Sequence, residues 1–126
     1  MDLTLQNPGE HHFIHSVSGD GIRVVDQVCI GPIIVSATRL ITDWPVHRAE
    51  DLGSQSLAQI LDLEPELVLI GTGERQVFLA AELMMVFYRQ NVGVEIMNTP
   101  AACRTFNVLV SEGRNVVAAL MQIAGS

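Results

Sequence analysis

Two apolar runs decide most of what this chain can fold into. Residues 67–71 read Leu-Val-Leu-Ile-Gly, and residues 115–123 read Asn-Val-Val-Ala-Ala-Leu-Met-Gln-Ile. Neither alternates polar with apolar. Side chains leave a strand on alternate sides, so an unbroken apolar strand needs cover on both faces. Helices packed on a sheet supply that cover. The sequence between the two runs offers them. Over 77–90, Leu79, Leu83, Val86 and Phe87 share one helical stripe, and Gly93 beyond it is a stop. Residues 94–97, Val-Glu-Ile-Met, make the next strand. Thr99 is expected to cap a further helix with Pro100 at its first position, and Gly113 to end it. This half reads strand–helix–strand–helix–strand, the order of parallel pairing through right-handed crossovers.

The first half reads as hairpins. Gly19-Asp20-Gly21 sits between apolar-rich segments, the first over residues 12–17, and supplies a positive-φ turn. Residues 27–30 and 33–37 are strand material broken at Gly31-Pro32, because proline has no N–H to give a ladder. The stretch Thr-Asp-Trp-Pro-Val-His (42–47) leaves as a loop. Ser54 or Ser56 is expected to cap a short helix over 56–63 with Leu57, Ile60 and Leu61 on one face. The fold class expected is α/β: three layers, a mixed central β-sheet with helices packed on it, and an N-terminal β-hairpin region. The length of 126 residues fits a single domain, 1–126, with residues 1–11 flexible.

The charge narrows the partners. Fourteen acidic residues against seven basic ones give a formal net charge of −7. Nucleic acid and anionic membranes demand a basic face, so neither is expected as a partner. All seven basic residues are arginine, which removes Schiff-base chemistry and any phosphate-loop lysine. Cys29 and Cys103 stand far apart in no metal or redox spacing, as reduced thiols in a cytoplasmic protein do. No basic region precedes an apolar core at the N-terminus, so no secretory signal is expected. No charge-free apolar run approaches the ~20 residues that span a bilayer.

Several residues bear on chemistry. Gly71-Thr72-Gly73 follows the first apolar run, and such a turn, with Arg75, offers N–H groups and a cation to an anion at the carboxyl end of a sheet. It matches neither a dinucleotide fingerprint nor a phosphate loop, and a plain sharp turn accounts for it too. Cys103, Phe106 and Val110 share one face of the helix after Thr99, a core face, with no histidine in the region to activate the thiol. Arg104, Asn107 and Ser111 line the neighbouring stripe, so Arg104 is either a solvated charge or an anion fork. Glu112 lies at the helix C-terminus, where a carboxylate is unfavourable, and Arg114 or Arg104 is expected to offset it. His11 and His15 would share one face of a strand, a pair without an evident third metal ligand. Ala80, Ala81, Met84, Met85 and Tyr88 give the 77–90 helix a second apolar face, which means deep burial or a partner surface.

The segments "LVLIGTG" and "GVEIMNTPAACRTFNVLVSEGRNVVAAL" together resemble a small domain-of-unknown-function family. That family includes a mitochondrial respiratory complex I assembly factor, the vertebrate adipogenesis-associated domain protein and many bacterial and archaeal proteins. The resemblance covers the chain from the first hairpin onward. It implies a three-layer α/β fold and no known reaction; for the mitochondrial member it implies scaffolding through protein contacts. Carried over by position, the family's characteristic residues are Gly71, Thr72, Gly73, Thr99, Ala102, Arg104, Asn107, Glu112, Gly113 and Arg114.

Two readings follow. One is a non-enzymatic binding or assembly module with a protein partner or a second copy of itself, no catalytic residues, no metal and no cofactor. The other is a small-molecule or anion-binding protein or enzyme. Its polar pocket would draw on Gly71, Thr72, Gly73, Arg75, Thr99, Arg104, Asn107 and Glu112.

Overall fold

The computed structural model describes residues 2–4 and 11–123. Nine strands and three α-helices are assigned among them. The first strand, β1 (Asp2–Thr4), pairs antiparallel with β6 (Arg39–Ile41). The rest of the expected flexible stretch, apart from His11, lies outside the described residues. Strands β2 (Ile14–Ser18), β3 (Gly21–Val24) and β4 (Gln27–Cys29) form a three-stranded antiparallel sheet. The β2–β3 turn is Gly19-Asp20, with Ser18 facing Gly21 across it.

At Gly31-Pro32 the chain leaves this sheet for the large one, beginning β5 (Ile33–Ser36). Gly31 has φ +100°, a conformation that other residues rarely adopt. The break read from the sequence is therefore a switch of sheets. The large sheet continues with β7 (Leu67–Gly71), β8 (Gly93–Met97) and β9 (Val116–Leu120), in the order β1-β6-β5-β9-β7-β8. β7 pairs parallel with both β8 and β9, while β9–β5, β5–β6 and β6–β1 are antiparallel. The sheet is mixed, as expected.

Alternation along β9 separates the layers. Val116, Ala118 and Leu120 join Ile33, Val35 and Leu69 beneath α3 (Thr99–Ser111) and the small sheet. Val117, Ala119 and Met121 join Ile34, Val68 and Ile70 beneath α1 (Ser54–Leu61), α2 (Ala81–Arg89) and Trp44. Every residue of β9 is buried, which is why its sequence shows no polar alternation.

Three expected boundaries move. α1 begins at Ser54 behind Gly53, and Ser56, its third residue, reaches back to accept from the Gly53 N–H at 2.9 Å. The hydroxyl thus plays the role of the third helical residue in a capping box. α2 begins at Ala81, not 77. Thr72 Oγ1 accepts the Val77 N–H at 3.1 Å and so holds the chain in a turn there. The cap of α3 is Asn98, whose Oδ1 accepts the Ala101 N–H at 2.8 Å, and Thr99 is the first helical residue.

Candidate functional site

The polar motif residues meet at the carboxyl ends of β7 and β9, where α3 starts. Gly71 allows the approach: a Cβ there would stand 2.9 Å from both Cα and Oγ1 of Thr99. Gly73, with φ +92°, turns the chain back towards the helix. Thr99 is fully buried and joins three elements. Its N–H donates to Gly73 O at 2.7 Å, and its Oγ1 accepts the Gly73 N–H at 2.8 Å. The same hydroxyl donates to Met121 O at 2.7 Å. Sequence reading assigned Thr99 to a cap; its long-range role has no local signal.

This closure uses the donors an anion would need. The Thr72 N–H goes to Met97 O, the Gly73 N–H to Thr99, and the Thr99 N–H to Gly73 O. Pro100 has no N–H. The Ala101 and Ala102 N–H groups go to the side chain and backbone of Asn98. The Thr72 hydroxyl donates to Arg75 O at 2.6 Å. The N-terminus of α3 is satisfied from within.

The remaining candidates are dispersed. Arg75 and Arg104 are exposed. Asn107 lies one turn further along α3 and binds the small sheet: Oδ1 accepts the Ile14 N–H and Nδ2 donates to Ile14 O, both at 2.8 Å. Its amide takes the place of a neighbouring strand for β2. Glu112 follows α3, whose 13 residues rise about 20 Å, so Glu112 and Thr99 do not border one cavity. Arg114, expected to offset Glu112, instead pairs with Glu66 at 3.3 Å. The Asn115 N–H, bonded to the Glu66 carboxylate at 3.0 Å, and then the Arg114 guanidinium hold that carboxyl below its ordinary value of 4.5.

Cys103 faces the core at 4% exposure. Burial pushes its thiol up to about 12, and the charge of Arg104 offsets that only in part. A thiol held protonated is no nucleophile at neutral pH. The histidines serve the backbone: His12, buried, donates from Nδ1 to Ser36 O at 3.0 Å, and the His11 ring contacts His12 O. His15 lies against the Phe13 ring. Among the described residues no group of three or more His, Cys, Asp or Glu is placed to hold a metal ion. None of their helices is long and apolar enough to cross a membrane.

Two features that the sequence did not single out stand elsewhere. A cleft of about 520 Å³ lies at the opposite end of the sheet, lined by Thr38, Arg39, Asp62, Glu64, Arg114 and Asn115 among others. A smaller apolar one, about 280 Å³, lies between the 3-10 turn Ala49–Asp51 and the start of α2, lined by Leu52, Val77, Phe78, Leu79 and Leu83. Phe78 beside it is 86% exposed. A large apolar ring in water is the informative kind of exposure. Its signal in the sequence was present, as an apolar stripe running past the helix start.

These features define a class: a three-layer α/β domain whose strand-end turn is tied to the start of α3 through Thr99, and whose exposed apolar side chains include four on residues 77–88. A crystal structure of a protein from Bordetella parapertussis shares the fold, with a TM-score of 0.85 and 34% identity over 92% of this chain and 99% of that one. The chain belongs to the family described as protein of unknown function (DUF498/DUF598), whose model matches residues 14–121. Among curated relatives, NADH dehydrogenase [ubiquinone] 1 alpha subcomplex assembly factor 3 is 31% identical over 90% of this chain in Mus musculus. The protein of the same name in Danio rerio is 36% identical over 86% of this chain. The chain spans 62% and 63% of the length of those two relatives.

Proposed function

We propose that this protein is a non-enzymatic assembly module, one domain that acts through protein–protein contacts on a larger complex. The observation that carries the reading is the likeness to assembly factors at 31–36% identity over most of the chain. Two structural facts support it. Thr72, Gly73, Thr99 and Asn107 spend their hydrogen-bonding groups inside the fold, and apolar side chains stand exposed around α2. By that likeness, the first complex to test is the host's NADH:ubiquinone oxidoreductase. The free, buried Cys29 and Cys103 accord with action in a reducing compartment such as the cytoplasm.

The alternative, a pocket for a small molecule or anion, would have to rely on Arg75 and Arg104 without the amides of Thr72 and Gly73 or the α3 N-terminus. Its support is correspondingly thin. The deciding experiment is deletion of the gene in its host, with the assembled oxidoreductase measured on native gels and by NADH-dependent quinone reduction in membranes. We expect subassemblies to accumulate and mature complex to fall, with recovery on re-expression. Unchanged assembly would overturn the reading.

A further inference from the structure

We infer that the exposed face of α2 is the interface of a two-fold symmetric homodimer, in which α2 of one copy packs antiparallel on α2 of another. This deepens the protein-contact reading above and rests on it, and it names the first partner as a second copy of the chain. Of the eight large apolar side chains exposed among the described residues, four, Val77, Phe78, Met85 and Tyr88, fall within residues 77–88; Phe13, Val28, Ile30 and Val108 are spread over the small sheet, its flanking residues and α3. Ala81, Met85 and Tyr88 lie at i, i+4 and i+7, one stripe on the side of α2 away from buried Phe87. Met85 and Tyr88 are 42% and 53% exposed, and small Ala81 lets a second helix approach.

The charges beside the stripe are self-complementary. Glu82 lies in the first turn of α2 and Arg89 in its last, both exposed, and neither forms an ion pair among the described residues. An isologous interface sets each residue against its symmetry mate's counterpart. With the two-fold axis between Met85 and Val86, antiparallel pairing puts Glu82 opposite Arg89 of the second copy, and Arg89 opposite Glu82 of the second copy. A chain of net charge −7 repels its own copies over most of its surface. This stripe, with one acid and one base at its two ends, is neutral. Phe78 stands just before α2, 86% exposed. The turn that Thr72 organises fixes where it points, since Thr72 Oγ1 bonds Val77 N and Arg75 O.

The test is sedimentation equilibrium of the full chain in four forms: unaltered, Glu82→Arg, Arg89→Glu, and both substitutions together. The unaltered chain should associate to two copies. Each single substitution sets like charges against each other twice and should weaken association by about tenfold or more. The double substitution should restore it. A purely structural role predicts the reverse, because both changes oppose the helix dipole and the double variant would be the worst formed. Circular dichroism on all four reports that. A chain monomeric at about 100 µM, or dimerisation equal in all four forms, would overturn the inference. Neither result touches the assembly reading, whose own readout is the level of mature complex in the deletion strain.

Discussion

The starts of α3 and α2 make opposite choices. At α3, Asn98 caps, Thr99 ties the first turn to Gly73 and Met121, and a glycine makes room for the contact. At α2, Ala80 occupies the capping position, no side chain caps the helix, and the residues before it present Phe78 to solvent. The α3 end gathers the polar residues Thr72, Asn98 and Thr99 and looks like a binding site in the sequence. The α2 end reads in the sequence as either deep burial or a partner surface. Burial reverses the first impression and leaves Met85 and Tyr88 of the second in solvent. Polar groups that are buried must find partners, and those at α3 find them in one another. The apolar groups at α2 are left over once the core is filled.

The sharpest way to break this contrast is Thr99→Val. The shape is kept, but the buried Gly73 N–H loses its acceptor and Met121 O its donor. Two buried groups left unpaired should lower unfolding stability by about 3 kcal/mol, measured in urea titrations. A loss below about 1 kcal/mol would mean that the junction is not an anchor and that its groups are free to serve a ligand.

How far the sequence told this in advance depended on the distance between partners. β7 was read at its observed bounds, and β9 within a longer run, because unbroken apolar strands need no information beyond their own residues. The α2 start was misplaced by four residues since Val77, Phe78 and Leu79 continue the helical period; what stops them is a hydrogen bond from Val77 to Thr72, a feature of the turn and not of the stripe. Asn98 and Thr99 are both good caps, and only the demand of Gly73 for a partner decides between them. The Asn107 contact with Ile14 crosses 93 residues and leaves no local trace. The candidate site was thus legible as a set of residues and illegible as a set of bonds.

A second contrast concerns the thiols. Cys103 is held protonated up to about 12 in the fold, against an ordinary value of 9.0 when exposed. The unfolded chain therefore loses this proton first as pH rises. Stability is whole below about 9 and should fall from there towards about 12, with this thiol contributing on the order of 1 kcal/mol per pH unit. Cys103→Ala should flatten that slope in urea titrations between those limits. An unchanged slope would place the thiol in water and reopen it as a reactive group.

The smallest effects test the two helix starts directly. Asn98→Ala removes a cap and should cost about 1 kcal/mol. Ala80→Asp does the converse. Ala80 has φ −61° and ψ 146°, the extended geometry of a capping residue, so an aspartate there can accept from the first turn of α2 without rearrangement. It should add about 0.5 to 1 kcal/mol to stability, read as a shift in the urea midpoint. The gain matters because it shows the bare start to be a stability left unused. The apolar cleft beside Ala80 gives the reason: a charge at that position would sit against Leu79 and Leu83 and wet the surface that Phe78 borders. If Ala80→Asp stabilises the isolated chain and also weakens its self-association in the centrifuge, the missing cap belongs to the interface. If it stabilises both, the contrast between the two ends is one of local sequence only, and the apolar patch has its use elsewhere.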